Sequence, residues 1–153
     1  MNSIEYLLSD GTAINCFIYD DSNSNVKEDG KKKKKNKDKD DNYKNADGCI
    51  IVYDISNKKS FEEIKKVYIP KIKDKCKKDI KIILLGNKSD LDYLREVSVD
   101  EGSKLALNNH FYFKETSCVE NKNVADAFET IIETTNFDVN KKIQRKKGNC
   151  VIF

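Results

Sequence analysis

Histidine is almost missing from this chain: His110 is the only one in 153 residues, and there is no tryptophan. A single imidazole disfavours His-based metal centres and catalytic triads. Placed at the start of an expected strand, His110 reads as a turn or edge residue. Long apolar runs are also lacking, and none approaches the roughly 20 residues that a spanning helix needs. The opening stretch MNSIEYLLSDG has neither a basic n-region nor an apolar h-region, so it reads as lacking a secretory signal. Five cysteines are present, Cys16, Cys49, Cys76, Cys118 and Cys150. Odd in number and widely spaced, they form neither a disulfide framework nor a zinc pattern. A reducing, cytosolic setting fits them. Cys16, Cys49 and Cys118 read as packing residues, because free cysteine is usually buried.

Charge of one sign is lacking over most of the chain as well. The formal net charge is +3. Residues 31–41 (KKKKKNKDKDD) carry a net +4 and residues 141–147 (KKIQRKK) a net +5, which leaves −6 on everything else. The body is acidic and bears two basic appendages. That excludes a basic nucleic-acid-binding globule, whose positive charge sits on a folded face.

What is present alternates between strand and helix signals. SIEYLL and AINCFIYD, separated by Ser9-Asp10-Gly11-Thr12, predict a β-hairpin over residues 3–20. Residues 21–42 have no apolar periodicity and read as a solvated, disordered insert. GCIIVYDIS (48–56) and KIILLG (81–86) are continuous apolar runs, which suit strands buried on both faces of a parallel sheet. Ser60 and Glu63 predict a capping box opening a helix, with Phe61, Ile64, Tyr68 and Ile72 as its apolar stripe and a kink or end at Pro70. Ser98 and Glu101 predict a second capping box, followed by a helix that turns Leu105 and Ala106 inward. HFYFKET (110–116) predicts a third strand, and NVADAFETIIE (123–133) a last helix with Val124, Ala127, Phe128, Ile131 and Ile132 at i, i+3, i+4, i+7 and i+8. This alternation is that of an α/β domain with a parallel sheet, whose ligands bind at the carboxyl ends of the strands.

The loops at those ends carry the chemistry. Asn87-Lys88-Ser89-Asp90 leaves one strand, and Glu115-Thr116-Ser117-Cys118 leaves the next. A carboxylate at Asp90 can accept both the N1–H and the exocyclic amine of guanine, a donor pair that adenine lacks. Asn87 can bond N7 and tie neighbouring loops together, and the stem of Lys88 can cover the base. Backbone N–H groups near Ser117 and Cys118 can donate to guanine O6. Four residues in an N-K-x-D pattern are weak evidence; directly off a buried strand, with E-T-S-C off the next, they are strong.

Through YKNADGCIIVYDISNKKSFEEI, GNKSDL, LREVSVDEG, FKETSC and the final helix, the chain resembles the small GTPases, and among them the Rab family. The resemblance implies a P-loop NTPase-type α/β fold, with a mostly parallel sheet flanked by helices. It implies GTP or GDP as ligand, Mg²⁺ as its metal, effector and regulator proteins as partners, and nucleotide-switched regulation of vesicle transport. Asp20, at the end of the hairpin, matches the family's Mg²⁺-linked aspartate. The chain departs from the pattern elsewhere. It contains no G-x-x-x-x-G-K-[ST] phosphate loop, no identifiable first switch, and no match for the second switch's glycine and glutamine. The resemblance also places the strand leading into the phosphate loop between the hairpin's second strand and the GCIIVYD strand. Without it, two apolar edges face a gap. Either those strands close up on each other, or the chain is an N-terminally incomplete version of a longer protein.

Cys150-Val151-Ile152-Phe153 fits C-a-a-X with Phe last, a pattern that favours geranylgeranylation. One lipid binds marginally, and the basic residues Lys141, Lys142, Arg145, Lys146 and Lys147 supply a second, electrostatic signal for an anionic leaflet. The organisation expected is a truncated GTPase domain over 1–136 and a basic tail over 137–153. The expected function is that of a membrane-anchored Rab-like GTPase on the cytosolic face of an internal membrane. The alternative is a non-catalytic membrane-tethered interaction module built on a GTPase remnant.

Overall fold

The computed structural model describes the backbone of residues 2–7, 13–20, 43–135 and 148–152, and side chains over residues 43–135. β1 (Asn2–Leu7) and β2 (Ala13–Asp20) pair antiparallel, with Asn2 opposite Ile18 and Leu7 opposite Ala13. The expected hairpin is therefore present. Its turn residues Ser9, Asp10, Gly11 and Thr12, and the insert over 21–42, lie outside the described residues.

The two continuous apolar runs form β3 (Gly48–Asp54) and β4 (Lys81–Asn87), which pair in parallel from Gly48↔Lys81 to Asp54↔Asn87. β5 (Tyr112–Glu115) adds parallel to β4. Side chains alternate across β3. Cys49, Ile51 and Tyr53 enter one core with Phe61, Ile64, Ile72 and Leu84. Ile50 enters the other, with Ile83, Leu85, Ala127, Ile131 and Ile132. Burial on both faces explains why these strands read as unbroken apolar runs rather than as alternation.

The helices follow the sequence signals with one shift. The helix expected to open at Ser60 begins earlier, as α1 (Lys58–Glu63), and Asn57 caps it by accepting from the N–H groups of Lys59 and Ser60 at 3.0 and 3.3 Å. Asparagine is a strong N-cap, and Ser60 does other work: its hydroxyl donates to Asn57 O (2.7 Å) and accepts from the Asp54 N–H (3.1 Å). A wide π turn, Ile64–Tyr68, then leads into α2 (Ile69–Lys75), with Pro70 in its first turn. The break expected at Pro70 is thus a change of helical pitch, which absorbs the missing N–H donor.

The second capping box is as expected. In front of α3 (Val99–Asn109), the Glu101 N–H donates to Ser98 Oγ and the Ser98 N–H donates back to Glu101. His110 ends this helix in the left-handed region at φ 59°, so β5 starts at Tyr112 and not at His110. α4 (Val124–Thr134) buries Ala127, Ile131 and Ile132 on the sheet. No helix among the described residues is long and apolar enough to cross a membrane.

The sheet order is β1-β2-β6-β3-β4-β5, where β6 is Gly148–Ile152. The structure differs here from the expectation of a tail running outside the domain over 137–153. β6 runs parallel to both neighbours, pairing with β2 from Cys16↔Gly148 to Asp20↔Ile152 and with β3 from Gly48↔Cys150 to Ile50↔Ile152. The anticipated gap between β2 and β3 holds a strand from the other end of the chain.

Candidate guanine-recognition site

β4 and β5 are adjacent and parallel, with Gly86 level with Glu115. Their C-terminal loops therefore leave the sheet side by side, and backbone bonds join them at once. The Thr116 N–H donates to Gly86 O at 2.9 Å, and the Ser89 N–H donates to Thr116 O at 3.0 Å. Two loops separated by a helix in sequence are held as one surface.

On that surface the expected side chains converge. The Ser117 hydroxyl donates to Asp90 Oδ1 at 2.5 Å and accepts the Glu120 N–H at 3.1 Å. Asn87 Oδ1 accepts from Thr116 Oγ1 at 3.2 Å and from the Cys118 thiol at 3.7 Å. Ser117 is fully buried and Thr116 is 4% exposed; Asn87 and Asp90 are half-buried. Cys118 is exposed, so the expectation that it packs in the core is corrected: it lies on the loop surface, whereas Cys49 is buried as expected. The side chain of Cys16 lies outside the described set.

Lys88 has a left-handed backbone, φ 64° and ψ 39°. For a residue with a Cβ this costs on the order of 1 kcal/mol or more, and such strain collects at functional sites. It swings the Lys88 ammonium back to Asp54, with Nζ 2.6 Å from Oδ2. Burial pushes the Asp54 carboxyl up, but hydrogen bonds from Lys88 and Ser56 outweigh it and hold the group below the usual carboxylate range. The Asp54 bond in turn raises the Lys88 ammonium. Sequence reasoning missed Asp54. Its signal was present: an acid at the carboxyl end of a buried strand, level with Asn87.

A second missed pair lies beneath the loops. Arg95, just past the 3₁₀ turn Ser89–Leu94, makes a bidentate bond to Glu115, with NH1–Oε1 at 2.6 Å and NH2–Oε2 at 2.9 Å. It also donates to Val97 O at 3.0 Å and to Asp92 at 2.6 Å. Both carboxylate oxygens of Glu115 are held, which locks the root of the Thr116–Ser117 turn.

Asp20 is not brought to this rim. It is level with Ile152, which is level with Ile50, four residues before the Asp54 end of β3. At the rise of a strand that is about 13 Å. Among the described residues there is no group of three or more His, Cys, Asp or Glu side chains that could hold a metal.

A mostly parallel sheet with joined base-recognition loops after two neighbouring strands defines a nucleotide-binding α/β domain of the small-GTPase class. The sequence profile of the Ras family matches residues 33–137. The Ras-related protein RGP2 of Oryza sativa subsp. japonica is 42% identical over 100 residues, 65% of this chain and 46% of that relative. The Ras-related protein Rab-8A of Bos taurus is 39% identical over 102 residues, covering 67% and 49%. The Ras-related protein RABA6a of Arabidopsis thaliana is 40% identical over 101 residues, covering 66% and 43%. The chain belongs to the Ras family, as a Rab-like small GTPase. It spans about half the length of the curated relatives it matches.

Proposed function

We propose that this chain recognises the guanine base of GTP or GDP through Asn87, Lys88, Asp90 and Cys118, and that it serves as a membrane-anchored regulator of vesicle transport. The observation that carries the first half is the Ser117–Asp90 bond. It fixes one carboxylate oxygen and leaves the group ionised and aimed along the loop, ready for the two adjacent donors of guanine. The Ser117 N–H donates to Lys122 O at 3.1 Å, so the N–H of Cys118 is the donor offered to O6. GTP brings the scissile phosphoanhydride, and these residues hold and select its base.

The phosphate end fits less well. The 153 residues contain no G-x-x-x-x-G-K-[ST], and Asp54 is already engaged by Lys88 and Ser56. No step is therefore routed through Mg²⁺, and the expected affinity is far below that of a chain with a phosphate cradle. Removing one preorganised donor costs about 10²–10³ in rate, so hydrolysis above background is not expected of these residues alone. That same feature favours the second reading, a non-catalytic module tethered to a membrane.

Cys150 is the proposed lipidation site, with the basic residues of 141–147 as its electrostatic partner on an anionic, cytosolic-facing membrane surface. Rab-8A and the other Ras-related relatives support peripheral membrane association. Effector and regulator proteins are the partners that this reading implies.

The test is nucleotide competition. The chain should retain a labelled GDP in preference to ADP, and Asp90→Ala should erase the preference without unfolding the domain. Equal binding of GDP and ADP by the unaltered chain would overturn the base-recognition reading.

A further inference from the structure

The end of α4 lies against the start of β3. A Cβ added to Gly48 would fall 2.8 Å from Cγ1 of Ile131 and 3.1 Å from Cγ2 of Thr135. Only glycine admits the last turn of α4 so close to the strand. Gly48 is also level with Cys150 of β6. The helix therefore delivers the chain beside the point where β6 enters the sheet, and residues 136–147 make the connection. Twelve residues suffice for a parallel crossover and reach roughly 40 Å when extended.

The segment's composition changes at the same place. Residues 141–147 carry five basic side chains, and residues 148–152, GNCVI, carry no charge. Val151 and Ile152 are β-branched and level with Cys49 and Ile50 of β3. Such residues suit an interior strand. β2 and β3 have their outer edges paired, to β1 and to β4. Their inner edges have only β6 as partner, and bare edges of that kind recruit another strand.

We propose that the slot between β2 and β3 is a strand-acceptor site whose occupant is this chain's own Gly148–Ile152, and that this segment serves either as the interior strand or as the lipidated tail, one at a time. The second half rests on the anchor reading above. In the transfer, a prenyl diphosphate gives up its C1–O bond as C1 bonds to Cys150 Sγ, diphosphate leaves, and the thiol proton passes to solvent. An enzyme that reads C-a-a-X takes Cys150 to Phe153 as a free chain end. In β6 the backbone from Gly48↔Cys150 to Ile50↔Ile152 is already paired on the β3 side, and Ile18↔Cys150 to Asp20↔Ile152 on the β2 side. The free end exists only when the strand has left the slot.

Amide hydrogen exchange on the full 153-residue chain tests the slot directly. Amides of residues 149–152 should be protected to the same degree as those of 18–20. Unprotected 149–152 beside a protected 81–87 would overturn the proposal. Val151→Pro removes a ladder donor, so it should expose residues 16–20 and 48–50 while 81–87 stays protected. Unchanged protection at 16–20 and 48–50 would equally overturn it.

The exclusivity is read from prenyl transfer by a purified geranylgeranyltransferase. A peptide of residues 145–153 should be modified at least about tenfold faster than the folded chain, since the apparent rate scales with the free fraction. Equal rates would overturn exclusivity. A peptide that accepts no prenyl group would sink the anchor reading and with it the exclusivity, while the exchange result on the slot stands by itself.

Discussion

The Oγ of Ser117 lies 2.5 Å from Oδ1 of Asp90, 27 residues earlier, and so ties the loop after β5 to the loop after β4. Base selectivity depends on the direction of one carboxylate, and a buried hydroxyl sets that direction. Ser117→Ala removes the donor and also leaves the Glu120 N–H without its acceptor. A hydrogen bond to a charged group contributes about 1.5–3 kcal/mol. Ser117→Ala should therefore weaken GDP retention about tenfold or more, and selectivity against ADP should fall with it. The check is competition binding beside Asp90→Ala. Full selectivity in Ser117→Ala would show that Asp90 is oriented by something else.

Arg95 and Glu115 are each about four-fifths buried, at 19% and 17% side-chain exposure. Removing one partner strands the other charge. Buried pairs cost about 3–5 kcal/mol when broken, and the residual solvent contact here brings the expectation for Arg95→Ala down to roughly 2–3 kcal/mol. The double change Arg95→Ala with Glu115→Ala should recover part of that loss, because no unpaired charge remains. Urea unfolding of the two single variants and the double variant measures the coupling. Strict additivity would mean that the bidentate bond contributes nothing.

Tyr53 is 2% exposed, and its hydroxyl has no hydrogen-bond partner. Burial, and then the nearby Glu115 carboxylate, push its phenol well above the ordinary range. Tyr53→Phe should be neutral or stabilising by about 1 kcal/mol, since it removes an unsatisfied buried group. The hydroxyl is wedged near Gly102, where an added Cβ would come within 2.4 Å of it. Gly102→Ala should cost about 1–3 kcal/mol as overpacking, and less in the Tyr53→Phe background. Thermal melts of the four proteins decide it.

The hydrogen bond and ion pair with Lys58, and then the Ser98 N–H, draw the Glu101 carboxyl down to about 2. A folded-state value below the unfolded one means that the unfolded chain binds the proton first as pH falls. The contribution is whole above the ordinary glutamate range and disappears as pH falls through about 2. Lys58→Met removes the largest cause and should flatten that part of the acid limb. Urea midpoints at pH 5, 3.5 and 2 show it, and salt should shrink the difference because both side chains are exposed. An acid limb identical to that of the unaltered chain would refute the assignment.

The sequence by itself determined every element whose signal is local. GCIIVYD and KIILLG announced buried strands because both faces are covered. Ser98 and Glu101 announced α3 because a capping box is complete within four residues. The spacing of Ala127, Ile131 and Ile132 announced α4. Asn87, Asp90, Ser117 and Cys118 were legible as a base-recognition set because each motif leaves the end of a recognisable strand. Tertiary structure decided the rest, through partners distant in the chain. Only the register of β3 against β4 sets Asp54 beside Lys88, and only the packing beneath the loops joins Arg95 to Glu115. Only the β2 register leaves Asp20 short of the rim. The C-terminal segment is the sharpest case. GNCVI reads as a tail because nothing near it in sequence offers a pairing partner. It becomes an interior strand because Gly48 lets the end of α4 settle onto β3, beside two edges with a strand's width between them.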